Sequence, residues 1–208
     1  MSSSGTERRR LTAKGRATRH RIVAAAAAVM YEHGVARTST EQILEAAQVT
    51  SPSQMYHYFE DKRSLIQAVI EYQTEHVLTF QRPLLRRLDS FEALEGWRDA
   101  VVQAQRAREC QGGCPIGSLA GELSDADPQA RAKLAEGYAQ WEGAIRDGLA
   151  SMQKRGELNA EADTGHLALA LLTALQGGLL MTQTRRDTTA LEAVLNAMID
   201  RIRCHAVD

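Results

Sequence analysis

Apolar residues recur at three- and four-residue spacing along almost the whole chain, the period of an amphipathic helix. Ile22, Ala26, Val29 and Met30 predict a helix from about Lys14 to His33, with Gly34 as its stop. Thr38 with Glu41, and Ser39 with Gln42, both have capping-box spacing, so a second helix starts there and buries Ile43, Leu44, Ala46 and Ala47. Gln48-Val49-Thr50 forms a turn, and Thr50 or Ser51 caps a third helix whose first turn accepts Pro52. Glu60 and Asp61 open a long fourth helix with Leu65, Ile66, Val69, Ile70 and Val77 on its stripe, and Pro83 ends or kinks it.

The pattern continues with a fifth helix over Phe91–Glu109, carrying Leu94, Trp97, Val101 and Ala104. A Gly-Gly-Cys-Pro break at 112–115 precedes a short helix over Ile116–Leu123. Asp127-Pro128 starts a long helix that runs to Lys154. The helix expected over Ala162–Thr184 is apolar nearly all round, which requires cover on several sides. The last, Thr189–His205, has one clear stripe: Leu191, Val194, Leu195, Met198, Ile199 and Ile202. The pattern predicts an all-α fold of nine helices with no strand and no internal repeat.

Composition changes this picture little. An apolar share of 44% and a charged share of 25% are ordinary for a globular protein, and the 5% aromatic content suits helix packing. The polar, basic start holds no apolar core of a secretion signal, and no membrane span is expected. Three cysteines, Cys110, Cys114 and Cys204, make no disulfide framework, and a cytoplasmic setting is expected.

Charge alters it more. Residues 1–62 carry nine Lys/Arg against six acids, so this end is +3 in a chain of net charge −1. Basic charge gathered beside a helix-turn-helix shape is the footprint of a phosphate-binding module. On such a module Ser53 and Gln54 are candidates to read base edges, with Thr50 and Ser51 beside them, since Gln can pair with adenine and Ser with several bases. Thr38, Ser39 and Thr40, at a helix N-terminus, offer hydroxyls and backbone N–H groups to phosphate.

The motif Thr38-Ser39-(x)3-Ile43-(x)2-Ala46-Ala47-(x)-Val49, followed by Tyr56-His57-Tyr58-Phe59-(x)2-Lys62-(x)2-Leu65, resembles the signature of TetR-family transcriptional regulators over about 50 residues. Gly113-Cys114-Pro115-Ile116-Gly117-Ser118-Leu119-Ala120 is similar to a branch that includes repressors of drug-efflux genes. Two departures stand out: Gln48 occupies a turn position usually held by Gly, and the step from Val49 to Tyr56 is one residue longer than the pattern.

The resemblance implies a DNA-binding domain over 14–60 behind a mobile basic tail (1–13), then a ligand-binding and dimerisation domain over 61–208. It implies that Tyr56, His57 and Lys62 clamp phosphates of a double-stranded operator. It also implies a small-molecule pocket in the larger domain. Candidate lining residues are His76, Phe80, Trp97, Val101, Cys110, Leu119, Tyr138, Trp141, Ile145, Leu175 and Met181, with Glu122 and Gln176 as polar anchors. A homodimer face is expected from the last two helices: Leu171, Ala174, Gly177, Gly178, Leu191, Leu195, Met198 and Ile202. No cofactor and no metal site are expected, and an enzyme is disfavoured because no phosphate loop or metal-spaced Cys/His set is present. The alternative kept open is a DNA-binding redox sensor acting through Cys110 and Cys114.

Overall fold

A computed structural model describes residues 11–207. Among them nine helices follow one another: α1 (Ala13–His33), α2 (Thr40–Ala46), α3 (Pro52–Tyr56), α4 (Lys62–Leu85), α5 (Phe91–Ala107), α6 (Pro115–Leu123), α7 (Pro128–Lys154), α8 (Thr164–Arg185) and α9 (Thr189–Arg203). The only strand-like pairing in the described part is an isolated bridge between Leu158 and Ala206. The all-α expectation therefore holds. The tail expected over 1–13 lies mostly outside the described residues.

Local chemistry sets the helix ends. Thr12 caps α1 by accepting from the Gly15 N–H, and Gly34, at φ 84°, ends it in a conformation that costs glycine little. Of the two capping boxes the sequence allows, Ser39 with Gln42 forms: each side chain accepts from the other residue's backbone N–H. Asp61 caps α4 by accepting from the Ser64 N–H at 2.7 Å. That bond holds the Asp61 carboxyl below its ordinary pKa. Pro83 does not end α4, which continues two residues further to Leu85. The lost N–H falls in the final turn, where one missing bond is tolerated.

The chain divides into two compact units, residues 1–69 and 70–208, and the division falls inside α4. The first unit packs α1 on α2 and α2 on α3. Its core is Ile22, Ala26, Met30, Ile43, Leu44, Ala47, Val49, Met55, Phe59 and Leu65. Of the four residues expected inside on α2, Ile43, Leu44 and Ala47 are buried and Ala46 is exposed.

In the second unit α8 packs between α7 and α9, and α9 also packs on α5. Helix α8 is long and apolar enough by composition to cross a membrane. Here its Leu167, Leu171, Leu172, Leu175 and Leu179 are buried against those neighbours. The tight crossing of α8 and α9 is centred on Gly178, where a Cβ would lie 2.8 Å from Leu191 Cδ1 and 3.1 Å from Leu191 Cα.

Candidate DNA-binding face and ligand-binding domain

The first unit presents a short helix with an apolar underside and a polar outer face. In α3, Met55 points into the core while Ser53 and Gln54 are exposed. Tyr56 is 51% exposed and His57 is exposed, so neither serves as core packing. Tyr58 is half-buried with its ring edge-on to His57, and Phe59 is buried beneath the Arg19 guanidinium. Thr50 is exposed and Ser51 half-buried; the Ser51 and Ser53 hydroxyls bond each other at 2.5 Å. Ser51 thus occupies the N-cap position without a side-chain cap on α3; its carbonyl accepts from the Gln54 N–H at 3.0 Å.

The turn before α3 explains the departure at Gln48. Its φ is 53°, the left-handed region in which glycine is ordinarily favoured. The Gln48 N–H bonds Glu45 O and the Val49 N–H bonds Leu44 O, closing the end of α2. Arg21 Nε donates to Ala47 O at 2.9 Å, tying α1 to that same end.

Two of the residues expected to meet phosphate also bond within the loop before α2. Thr38 is buried, and its hydroxyl donates to Gly34 O at 2.7 Å, so it is committed to the loop before α2. Lys62 Nζ donates to Thr38 O at 2.7 Å and Val35 O at 3.3 Å, which spends two of its three N–H groups on that loop. Ser39 and Thr40 remain at the α2 N-terminus, exposed and half-buried respectively.

In the second unit the expected pocket residues separate into groups. His76, Phe80, Glu122 and Met181 are exposed, with Phe80 at 61%. Trp97, Val101, Leu119, Trp141, Ile145, Leu175 and Cys110 are buried. Trp97 belongs to the core, its indole N–H donating to the buried Gln81 at 2.9 Å. Tyr138 and Gln176 are half-buried and face each other, the Tyr138 hydroxyl 3.5 Å from Gln176 Oε1. A separate open groove of about 450 Å³ runs between α4 and α7, lined by Leu78, Arg82, Arg86, Gln140, Ala144 and Ser151, none of which sequence reasoning singled out. Alternating charge on those helices reads as ordinary solvated surface, so no sequence signal marked it.

Of the expected dimer residues, Gly177 is exposed and the others are buried or half-buried in the single chain. Leu171, Gly178, Leu191, Leu195 and Ile202 are buried within the single chain. The outward stripe of α8 comprises Leu169, Thr173, Gly177, Leu180, Met181 and Thr184, all exposed. Ala174 of α8 and Met198 of α9 are half-buried.

Residues 22–69 match the family model described as bacterial regulatory proteins of the tetR family. Residues 90–198, more than half the chain, match the one described as a tetracyclin repressor-like C-terminal domain. The chain belongs to the TetR family. It is a DNA-binding transcriptional regulator, not an enzyme.

Relatives agree with this family assignment. An uncharacterized HTH-type transcriptional regulator of Lactococcus lactis is 28% identical over 86% of this chain and 89% of its own length. The HTH-type transcriptional repressor ComR of Escherichia coli is 26% identical over 80% of this chain and 79% of its own. A TetR transcriptional regulator from Chloroflexus aurantiacus, solved by crystallography, is 26% identical, covers 94% of this chain and 98% of its own, and superposes with a TM-score of 0.76. Another from Cytophaga hutchinsonii shares the fold, with a TM-score of 0.79 at 22% identity over 96% of this chain and all of its own.

Proposed function

We propose that this TetR-family regulator is a homodimeric repressor that binds a palindromic double-stranded DNA operator and is released by a small-molecule ligand. The observation that carries the reading is the outward face of α3, where Ser53, Gln54, Tyr56 and His57 stand exposed over a buried Met55 and Phe59. Ser53 and Gln54 read base edges in the major groove. Tyr56, His57, Ser39 and Thr40 hold phosphates and set register. Lys62 keeps one N–H for phosphate while it fixes the loop before α2. The repressor sense follows the E. coli relative that is named a repressor.

Two copies meet through the outward stripe of α8, with Gly177 as the open point of approach: a Cβ there would meet nothing within 4 Å of its own chain. Exposed Ala193 and Ala197 of α9 widen that face with small residues. A ligand that binds one tilt of α4 better than another biases the distance between the two readers. A coupling of about 1–3 kcal/mol gives roughly 5–150-fold derepression.

The redox alternative is not favoured. Cys110 and Cys114 are buried, and burial pushes the Cys114 thiol above its ordinary pKa, which withholds the thiolate that oxidation requires.

The test is a gel shift of the full chain against the DNA flanking its own gene, at two salt concentrations. Salt-sensitive binding to a palindrome is expected. Tyr56→Phe should weaken all sequences alike, and Gln54→Ala should relax preference at one base pair per half-site by about 1–3 kcal/mol. If Gln54→Ala weakens every sequence equally, Gln54 does not read bases.

A further inference from the structure

Between the buried anchors Val49 and Met55 the chain has five residues, and it carries them outward. Thr50, Pro52, Ser53 and Gln54 are exposed, and Ser51 is half-buried. This is the step that is one residue longer than the family pattern. Both anchors stay in the core with Phe59, so the extra residue is absorbed on the outer side, in the turn and at the start of α3. The middle residue of the five is Pro52.

Hydrogen bonding around Pro52 is largely settled within the chain. The Ser51 and Ser53 hydroxyls bond each other at 2.5 Å. The Gln54 N–H donates to Ser51 O and the His57 N–H to Ser53 O, both at 3.0 Å. Pro52 itself has no N–H, and its ring holds neither donor nor acceptor. Proline at the first helical position presets φ, which suits the start of α3 but leaves the exposed ring to face whatever α3 meets.

A helix-turn-helix reader sets the first residues of its second helix against base edges in the major groove. Those edges offer donors, acceptors and one apolar group, the thymine C5-methyl. Among the exposed side chains that open α3, Ser53 and Gln54 suit the hydrogen-bonding edges, and Pro52 suits only the methyl.

We propose that Pro52 is a specificity-determining residue that packs against a thymine C5-methyl in each half of the operator. This rests on the reading of α3 as the base reader and deepens it, adding an apolar contact beside the hydrogen bonds of Ser53 and Gln54. The chemistry recognised is a 5-methylpyrimidine, so uracil, which differs by that one carbon, binds less well. Loss of one buried methyl weakens binding about fourfold, and loss of both in a palindrome about fifteenfold.

The probe is the duplex palindrome that the full wild-type chain selects from random-sequence DNA. Each thymine is replaced in turn by 2′-deoxyuridine, which removes the methyl and keeps every hydrogen-bonding group, and affinity is read by gel shift at fixed salt. One thymine position in each half-site should show the loss given above. Pro52→Ser, checked for folding by its melting curve, should bind thymine and uracil duplexes equally at that position and keep the wild-type response elsewhere. Pro52→Ala, a milder change, keeps one carbon of the contact and should respond less than wild type. Absence of any methyl-sensitive thymine in the wild-type scan would overturn the contact. A uridine profile in both variants that matches wild type would overturn it too, whether or not overall affinity falls, because proline then only starts α3. Loss of the response in Thr50→Ser instead would assign the methyl to Thr50 and refute Pro52.

Selection separates this contact from the reading beneath it. If the chain selects no sequence, base reading by α3 fails and the contact fails with it. If it selects a palindrome in which Gln54→Ala relaxes one base pair but no thymine responds to uridine, base reading stands and the Pro52 contact fails.

Discussion

Gly177 and Gly178 are neighbours on one helix, yet the same substitution should act on them in opposite directions. At Gly178 a Cβ meets Leu191 Cδ1 at 2.8 Å, Leu191 Cα at 3.1 Å and Val194 Cγ1 at 3.1 Å. The Cδ1 atom can rotate away, but the Leu191 Cα is backbone, and Leu191 is fully buried. Helix α9 must therefore move outward by several tenths of an ångström. Overpacking of this kind costs about 1–3 kcal/mol. Replacing a helical glycine returns about 1 kcal/mol of propensity. Gly178→Ala should thus lose up to about 2 kcal/mol net, a fall in Tm of up to about 4–8 °C for a chain of this size.

Gly177→Ala meets nothing within 4 Å, so only the propensity gain of up to about 1 kcal/mol applies to the single chain. Urea titrations of both variants, run at several protein concentrations, separate chain stability from assembly. Gly178→Ala should lower the midpoint at every concentration. Gly177→Ala should raise it when dilute and weaken association when concentrated, because its methyl sits on the proposed dimer face. If the two variants unfold together, α8 and α9 do not cross as closely at Gly178 as described.

Ser39→Ala removes the side chain that accepts from the Gln42 N–H and should destabilise the first unit by about 1 kcal/mol, measurable by amide hydrogen exchange in α2. Leu180→Glu places a charge in the exposed α8 stripe; sedimentation should show monomer while the far-ultraviolet circular dichroism stays unchanged. Asp61 has a folded pKa below its unfolded value because it accepts from the Ser64 N–H. Its contribution is therefore present above the unfolded pKa of about 3.9 and is lost as pH falls through the folded value. Asp61→Asn should remove that part of the acid sensitivity; identical midpoint-against-pH curves for the two proteins would show that the cap carries no pH-dependent stability.

Where chemistry is local, sequence and structure coincide. The Gly34 stop, the Pro128 start after the Asp127 cap and the Thr189 start of α9 all depend on residues within one turn of each other, and all were legible. The outward polar positions of α3 were legible for the same reason, since Met55 and Phe59 anchor the opposite side. Gln48 was visible as a departure, but its left-handed φ was not, because a sequence does not display backbone dihedrals.

The chain by itself determined nine helices, eight with one apolar stripe and one apolar nearly all round, their caps and a basic reader at one end, since period and capping are properties of neighbouring residues. Tertiary structure alone decided which capping box closes, because Thr38 is drawn inward to bond Gly34 O and leaves Ser39 to cap. It alone decided which apolar stripe stays exposed. A period of 3.6 marks an apolar face without naming what covers it, and here α8 buries the α9 stripe, so that Leu191, Leu195 and Ile202 became core while Leu169 and Leu180 were left outside.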